Sequence, residues 1–233
     1  MAQSTPILIL GMHRSGTSCL AGSLENAGLY LGDVNTEAGF NKKGNRENRT
    51  AMELHEQVLE RVGASWDNPP AQDPVWTPQE TQHLREIIES YPDDQQWGLK
   101  DPRVLFMMEG WKTLTTPRFI GTFRHPAEVA ASLIQRAQKW DQPMDEDTAF
   151  NIWAIYNKRM LALHMHQKFD ILRYDIPATT YHKNLIKAGN SLNLEVPDKP
   201  EFRESALHNQ QVQNTHIPIK IKPIWEALND IAL

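Results

Sequence analysis

Two rhythms of apolar residues alternate along this chain. Short runs of Ile, Leu, Val and Phe, too brief for helices, predict strands at 6–10, 96–99, 118–123 and 170–174. Between them apolar residues recur every three or four positions and predict helices. The first covers 15–27, with Leu20, Leu24 and Ala27 on one face and Gly28 as its stop. The next covers 47–62, with Leu54, Val58 and Leu59 inward. "TPQE", residues 77–80, has the form of a capping box with proline at the first helical position, and opens a helix to about residue 90. Further helices are expected at 126–140, 145–168, 181–192 and 224–231. Residues 30–46 and the proline-bearing stretch 65–78 read as loops, the former of a length that usually has a functional reason.

Strands alternating with helices predict an α/β fold, a mainly parallel sheet of about four to five strands flanked by helices on both faces. In such sheets ligands bind beyond the carboxyl ends of the strands. The polar loops at 11–18, 100–103 and 124–126 all follow predicted strands, so they are expected along one edge.

Composition narrows the classes. At 233 residues the chain suits one domain, 1–233, with a substantial core. A net charge of −5 argues against a broad nucleic-acid or anionic-membrane surface, while leaving room for a local basic pocket. No apolar run approaches the ~20 residues that span a bilayer. Cys19 is the only cysteine, so no internal disulfide forms, and a cytoplasmic location is expected. Neither a Cys pair nor HExxH occurs, and His164 and His166 are two apart on a predicted helix, so no metal site is expected.

The chemistry concentrates in "ILILGMHRSGTS", residues 7–18. A strand, a glycine turn and a helix start place backbone N–H groups and the positive helix end where an anion binds. Gly11 and Gly16 frame the turn, and Ser15, Thr17 and Ser18 add hydroxyls. In a nucleoside-triphosphate loop a lysine follows the second glycine. Here Thr17 stands there, and the cation comes earlier as Arg14, beside His13. An NTPase typically places Asp at the end of a strand such as "RFIGTF" to help hold Mg²⁺. This chain places Arg124 there, with Ser132 two turns into the following helix, a pair suited to a second phosphate. The bland alternatives are a surface salt bridge for Arg124 and simple packing for Ser132.

Two anion sites and no metal-holding carboxylate imply a nucleotide with phosphates at separate positions. "HRSGTS" and "RHPAEVAAS" together resemble the sulfotransferases that use 3′-phosphoadenosine 5′-phosphosulfate (PAPS). "NKKGNREN", "SWDNP", "GLKDPR" and "LRYDIP" are similar in order and spacing to bacterial, carbohydrate-type members. The resemblance covers residues 7 to about 180. It implies a three-layer, P-loop NTPase-like fold and PAPS as co-substrate, with adenosine 3′,5′-bisphosphate (PAP) as product and no metal. It further implies that His13, Arg14, Ser15, Gly16, Thr17 and Ser18 bind the 5′-phosphosulfate, and that Arg124 and Ser132 bind the 3′-phosphate.

Sulfuryl transfer is mostly positioning and electrostatic stabilisation, and an acceptor hydroxyl also needs a base. Arg14 is suited to stabilise the departing phosphate, and Lys100 to add charge near the sulfuryl group. The alternative for Lys100 is an ion pair with Asp101 that shapes the turn, and Arg103 reads equally as ligand contact or structural partner. Glu47, in the position where such enzymes often carry Glu, is the first candidate base, followed by Asp101, His13 and His125. Its alternative is an acid complementing a helix N-terminus. Acceptor-pocket loops are expected at 30–46, 64–78 and 141–148, with Trp66 and Trp76 as candidate walls. The implied partner is a small-molecule or carbohydrate acceptor. A variant P-loop kinase or nucleotidase, and a non-catalytic nucleotide-binding module, are the competing readings.

Overall fold

A computed structural model describes residues 5–36, 44–198 and 216–233. Asn41 to Lys43 of "NKKGNREN" and the middle of the loop expected at 30–46 therefore lie outside the described residues.

Four strands, β1 (Ile7–Leu10), β2 (Gly98–Lys100), β3 (Arg118–Phe123) and β4 (Ile171–Arg173), form one parallel sheet in the order β2-β1-β3-β4. Ile7 pairs with Gly98 on one side and with Arg118 on the other, and Gly121 pairs with Ile171. All of β1 is buried. Its side chains alternate between two cores, as the strand period of two demands. Ile7 and Ile9 join Leu20, Leu24 and Leu185, from α1 (Thr17–Asn26) and α7 (Ala178–Ser191). Leu8 and Leu10 join the opposite core. That core is built from α2 (Arg49–Arg61), α3 (Pro78–Glu89), α4 (Met108–Leu114), α5 (Pro126–Lys139), α6 (Glu146–His166) and α8 (Lys222–Ile231). The expected α/β architecture with a parallel sheet between helical layers is the one observed. Among the described residues no helix is long and apolar enough to cross a membrane.

Local signals set several element ends as expected. The Thr77 hydroxyl accepts from Glu80 N (3.2 Å), and the Glu80 carboxylate accepts from Thr77 N (2.7 Å), closing the capping box of α3. Other ends differ. Helix α1 begins at Thr17 rather than Ser15, because Ser15 N donates to Met12 O in a turn and Gly16 is left-handed at φ 89°. A side chain at Gly16 would collide with the Tyr174 ring, so both turn and packing require glycine there. Strand β2 lies one to two residues later than the pattern predicts. After it, Pro102–Phe106 forms a 3₁₀ turn and α4 follows, neither of which shows as a periodic segment. Helix α4 has only seven residues, too few to display a period.

Because every strand is parallel, the loops after β1, β2 and β3 leave from one edge of the sheet. That edge carries the candidate site.

Candidate active site

The first loop is shaped for an anion. Gly11 (φ 145°) admits no side chain, since a Cβ would meet Thr122 O at 2.5 Å and Thr17 Cγ2 at 2.8 Å. Arg14 adopts φ 67°, uncommon for a non-glycine residue and consistent with a functional constraint. At the start of α1 no side chain caps the backbone, and no acidic residue sits in the first turn. Its first-turn N–H groups and the positive end of the helix dipole therefore point toward the loop. The buried Ser15 hydroxyl has no partner among the described residues.

The second strand-end motif closes over the first. Arg14 Nε donates to Ser132 Oγ at 2.7 Å, and Arg124 Nη1 reaches the Arg14 carbonyl at 3.5 Å. The Ser132 hydroxyl accepts in that bond, which leaves its own O–H to donate elsewhere. Arg124 is buried rather than a surface residue; it pairs with Glu128 one turn on (2.6 Å) and lies 5.6 Å from the Tyr174 ring centre. Burial, Arg136 and Arg124 together pull the Arg14 pKa below its ordinary value. Arg136 and Arg124 are thus near enough to act on Arg14, a repulsion that polyanion binding would relieve.

At the end of β2 a buried ionic cluster gathers most of the remaining candidates. Lys100 Nζ donates to Glu47 Oε1 at 2.5 Å. Asn45 Nδ2 donates to Glu47 Oε2 at 3.2 Å, and Arg103 Nη1 stands 3.8 Å from that oxygen. The Lys100 partner is thus Glu47 and not Asp101, which removes the alternative reading of Lys100 as an ion pair with Asp101. Asp101 turns away instead: Oδ1 accepts from Arg103 N (3.0 Å) and Nη1 (2.9 Å), and Oδ2 faces His55 Nδ1 at 2.8 Å. Arg103 Nη2 also reaches Glu56 at 2.6 Å.

His55, which sequence reasoning missed, and Trp111, a buried core residue, extend the Asp101 network. The Trp111 indole N–H only donates, and it points at His55 Nε2 at 3.0 Å. The ring proton therefore sits on Nδ1 and is given to Asp101. Burial alone would raise the Asp101 carboxyl, but the Arg103 guanidinium and the His55 N–H outweigh it and hold it well below the usual carboxylate range. The available signal was a histidine on the buried face of α2, between Leu54 and Val58.

His13 packs edge-on against Trp66 (5.0 Å) and Tyr156 (6.0 Å), and its buried Nε2 has no partner among the described residues. His125 sits apart from this cluster; its Nδ1 accepts from Ala127 N and caps α5, while its ring packs on Trp225. The structure therefore brings Glu47, Lys100 and Arg103 together with His13 within the field of the two cations, and separately joins Arg14 to Ser132 and Arg124. Trp76 is not with them; it packs on Gly110 and His55.

Burial lowers the pKa of His13, with Arg103 and Lys100 adding to the shift, and burial likewise lowers His125 and His164. A histidine lowered in the folded state takes up its proton on unfolding, so its contribution is complete above about pH 6.5 and is lost as pH falls. The thermal midpoint is therefore expected to drop between pH 7 and pH 5, and to drop less in His13→Gln. An equal drop in both proteins would show that His13 is not the residue responsible.

Solved structures share this fold. The sulfotransferase domain of the olefin synthase of Synechococcus PCC 7002 superposes with a TM-score of 0.53 at 17% identity, over 99% of this chain and 89% of that one. The sulfotransferase STF1 of Mycobacterium tuberculosis H37Rv gives 0.52 at 16% identity, over 98% and 77%. No family model and no curated protein matches the sequence. The chain has the sulfotransferase fold.

Proposed function

We propose that this chain is an enzyme that transfers the sulfuryl group of PAPS to a hydroxyl, or an amine, of a small-molecule or carbohydrate acceptor. The observation that carries this reading is the meeting of the two strand-end arginines over an uncapped helix N-terminus, with Arg14 bonded to Ser132 and Arg124 reaching the Arg14 carbonyl. A nucleotide with phosphates at two separate positions suits that arrangement. In this reading the N–H groups of 11–18, with Arg14 and the hydroxyls of Ser15, Thr17 and Ser18, hold the 5′-phosphosulfate. Arg124 and the Ser132 O–H hold the 3′-phosphate.

In the transfer, the acceptor oxygen attacks sulfur as the bond from sulfur to the bridging oxygen breaks, and the electron pair leaves with the 5′-phosphate. Arg14 stabilises that charge, and Lys100 stands on the side of the sulfuryl group. Glu47 takes the acceptor proton. Arg103 and Asn45 orient its second oxygen.

PAP is expected to raise the thermal midpoint, by about 2.7 kcal/mol of stability at a hundredfold excess over Kd, and EDTA should leave that effect intact. Arg124→Ala should weaken PAP about 10–100-fold, the worth of one or two charge-assisted hydrogen bonds. Stabilisation by ATP with Mg²⁺ but not by PAP would replace this reading with the kinase one. PAP binding without sulfated product from any acceptor, read by mass spectrometry, would leave a nucleotide-binding module.

A further inference from the structure

Resting on the sulfuryl-transfer reading, we propose that the groove between the end of α5 and the loop after α2 receives the acceptor, and that this acceptor is a neutral alcohol on a flat apolar body. The groove encloses about 560 Å³ and is walled by Trp66, Leu133, Trp140 and Met144, with Arg136 among its lining. That is the size of an ordinary small-molecule site.

Two contacts join the groove to the ionic cluster. The Trp66 ring packs against the His13 ring at 5.0 Å, and His13 lies within the field of Lys100 and Arg103. The Arg136 guanidinium lies 5.2 Å over Trp66 and is close enough to Glu47 for that carboxylate to stabilise its charge. A molecule lying along Trp66 therefore ends beside His13, with its reacting oxygen on the side of Glu47 and Lys100.

Chemistry of the walls selects the body. Polar groups at the rim are partly engaged: Asp145 accepts from Thr148 N at 2.7 Å, Asp67 accepts from the Ser65 hydroxyl at 2.5 Å, and Arg136 covers Trp66. A sugar would bring several hydroxyls, and each one buried without a partner is penalised. Besides these, the groove offers one amide at Gln142 and one hydroxyl at Thr148, fewer partners than the hydroxyls of a sugar need. The two rim carboxylates outnumber the one Arg136 guanidinium, so the groove disfavours an anionic acceptor. What the groove offers is apolar surface: Trp140 is 56% exposed, and Trp66 and Met144 are half-buried. Indole faces and a thioether favour a flat ring, by stacking and by sulfur–aromatic contact.

The test compares 2-naphthol with maltose as acceptors, with PAPS as donor, in the unaltered protein and in Trp140→Ala. Sulfated product is read by mass spectrometry, and naphthol binding by quenching of tryptophan fluorescence in the presence of PAP. The expected result is a higher kcat/KM for 2-naphthol and a KM raised about tenfold in Trp140→Ala, with kcat and PAP affinity nearly unchanged. If neither compound is sulfated, saturable quenching by naphthol that weakens about tenfold in Trp140→Ala still supports the groove. Preference for maltose, an unchanged KM in Trp140→Ala, or no quenching overturns the acceptor proposal while PAP binding and sulfuryl transfer stand. Loss of PAP binding itself overturns the underlying reading, and the acceptor proposal falls with it.

Discussion

Glu47→Gln is expected to slow sulfuryl transfer by about 10²–10⁴-fold, the usual worth of a positioned base, while PAP affinity stays nearly unchanged. The prediction follows from what the other candidate bases are occupied with. Both Asp101 oxygens are committed, one to Arg103 twice over and the other to His55, and its carboxyl is held far below the usual range. A carboxylate so stabilised is a poor proton acceptor. His125 spends its Nδ1 on the cap of α5. His13 has a buried Nε2 without a partner among the described residues, but nearby cations and burial oppose its protonation. Glu47 is also buried and bonded on both oxygens, but one of those bonds is to Lys100, the cation expected beside the sulfuryl group, and the other is to the neutral Asn45 amide. Gln keeps an oxygen for Lys100 but turns an NH2 toward Asn45 and Arg103, so it removes the charge, the basicity and the bond accepted from Asn45. Because the pair is buried, rates must come from protein whose thermal transition remains cooperative. A Glu47→Gln enzyme working within threefold of the original, with His13→Gln inactive, would move the base to His13.

The second large effect concerns stability. Asp101→Ala is expected to cost about 3–5 kcal/mol, because it strands the buried Arg103 guanidinium and the His55 N–H without their acceptor. At this chain length that lowers the thermal midpoint by roughly 6–20 °C. Asp101→Asn should lose less, since an amide oxygen still accepts one bond. The sign with pH follows from the depressed carboxyl: its stabilisation is complete above the unfolded value near pH 4 and is lost as pH falls below it. The acid side of the stability profile should therefore flatten in Asp101→Asn. A loss below 1 kcal/mol for Asp101→Ala would mean that the network contributes little to folding.

Much of the scaffold was legible because its signals are local. The β1 run, the Thr77–Glu80 box, the glycine stop after α1 and the arginine ending β3 each act within one turn or one strand of themselves. Parallel pairing of the sheet then follows from alternation, and it places the three loops on a common edge. Shorter elements escaped: the 3₁₀ turn and α4 are held by tertiary packing, with Trp76 against Gly110 and Trp111 in the core, and seven residues carry no readable period. In the candidate site, residue types were legible and partnerships were not. The Arg14 bond to Ser132 spans 118 residues, and the Lys100 bond to Glu47 spans 53.

The missing lysine of the first loop shows the division most plainly. By itself the sequence determined a strand, a glycine turn and a helix start with Arg14 inside, and a second arginine ending another strand. Backbone geometry and apolar period are short-range properties, and they are written in consecutive residues. Only the tertiary structure decided that Ser132 completes Arg14, that Lys100 faces Glu47 while Asp101 faces His55, and that Trp66 lines a groove while Trp76 is packed elsewhere. Those choices depend on which helices lie across the sheet edge, and so on the packing of two cores drawn from the whole chain.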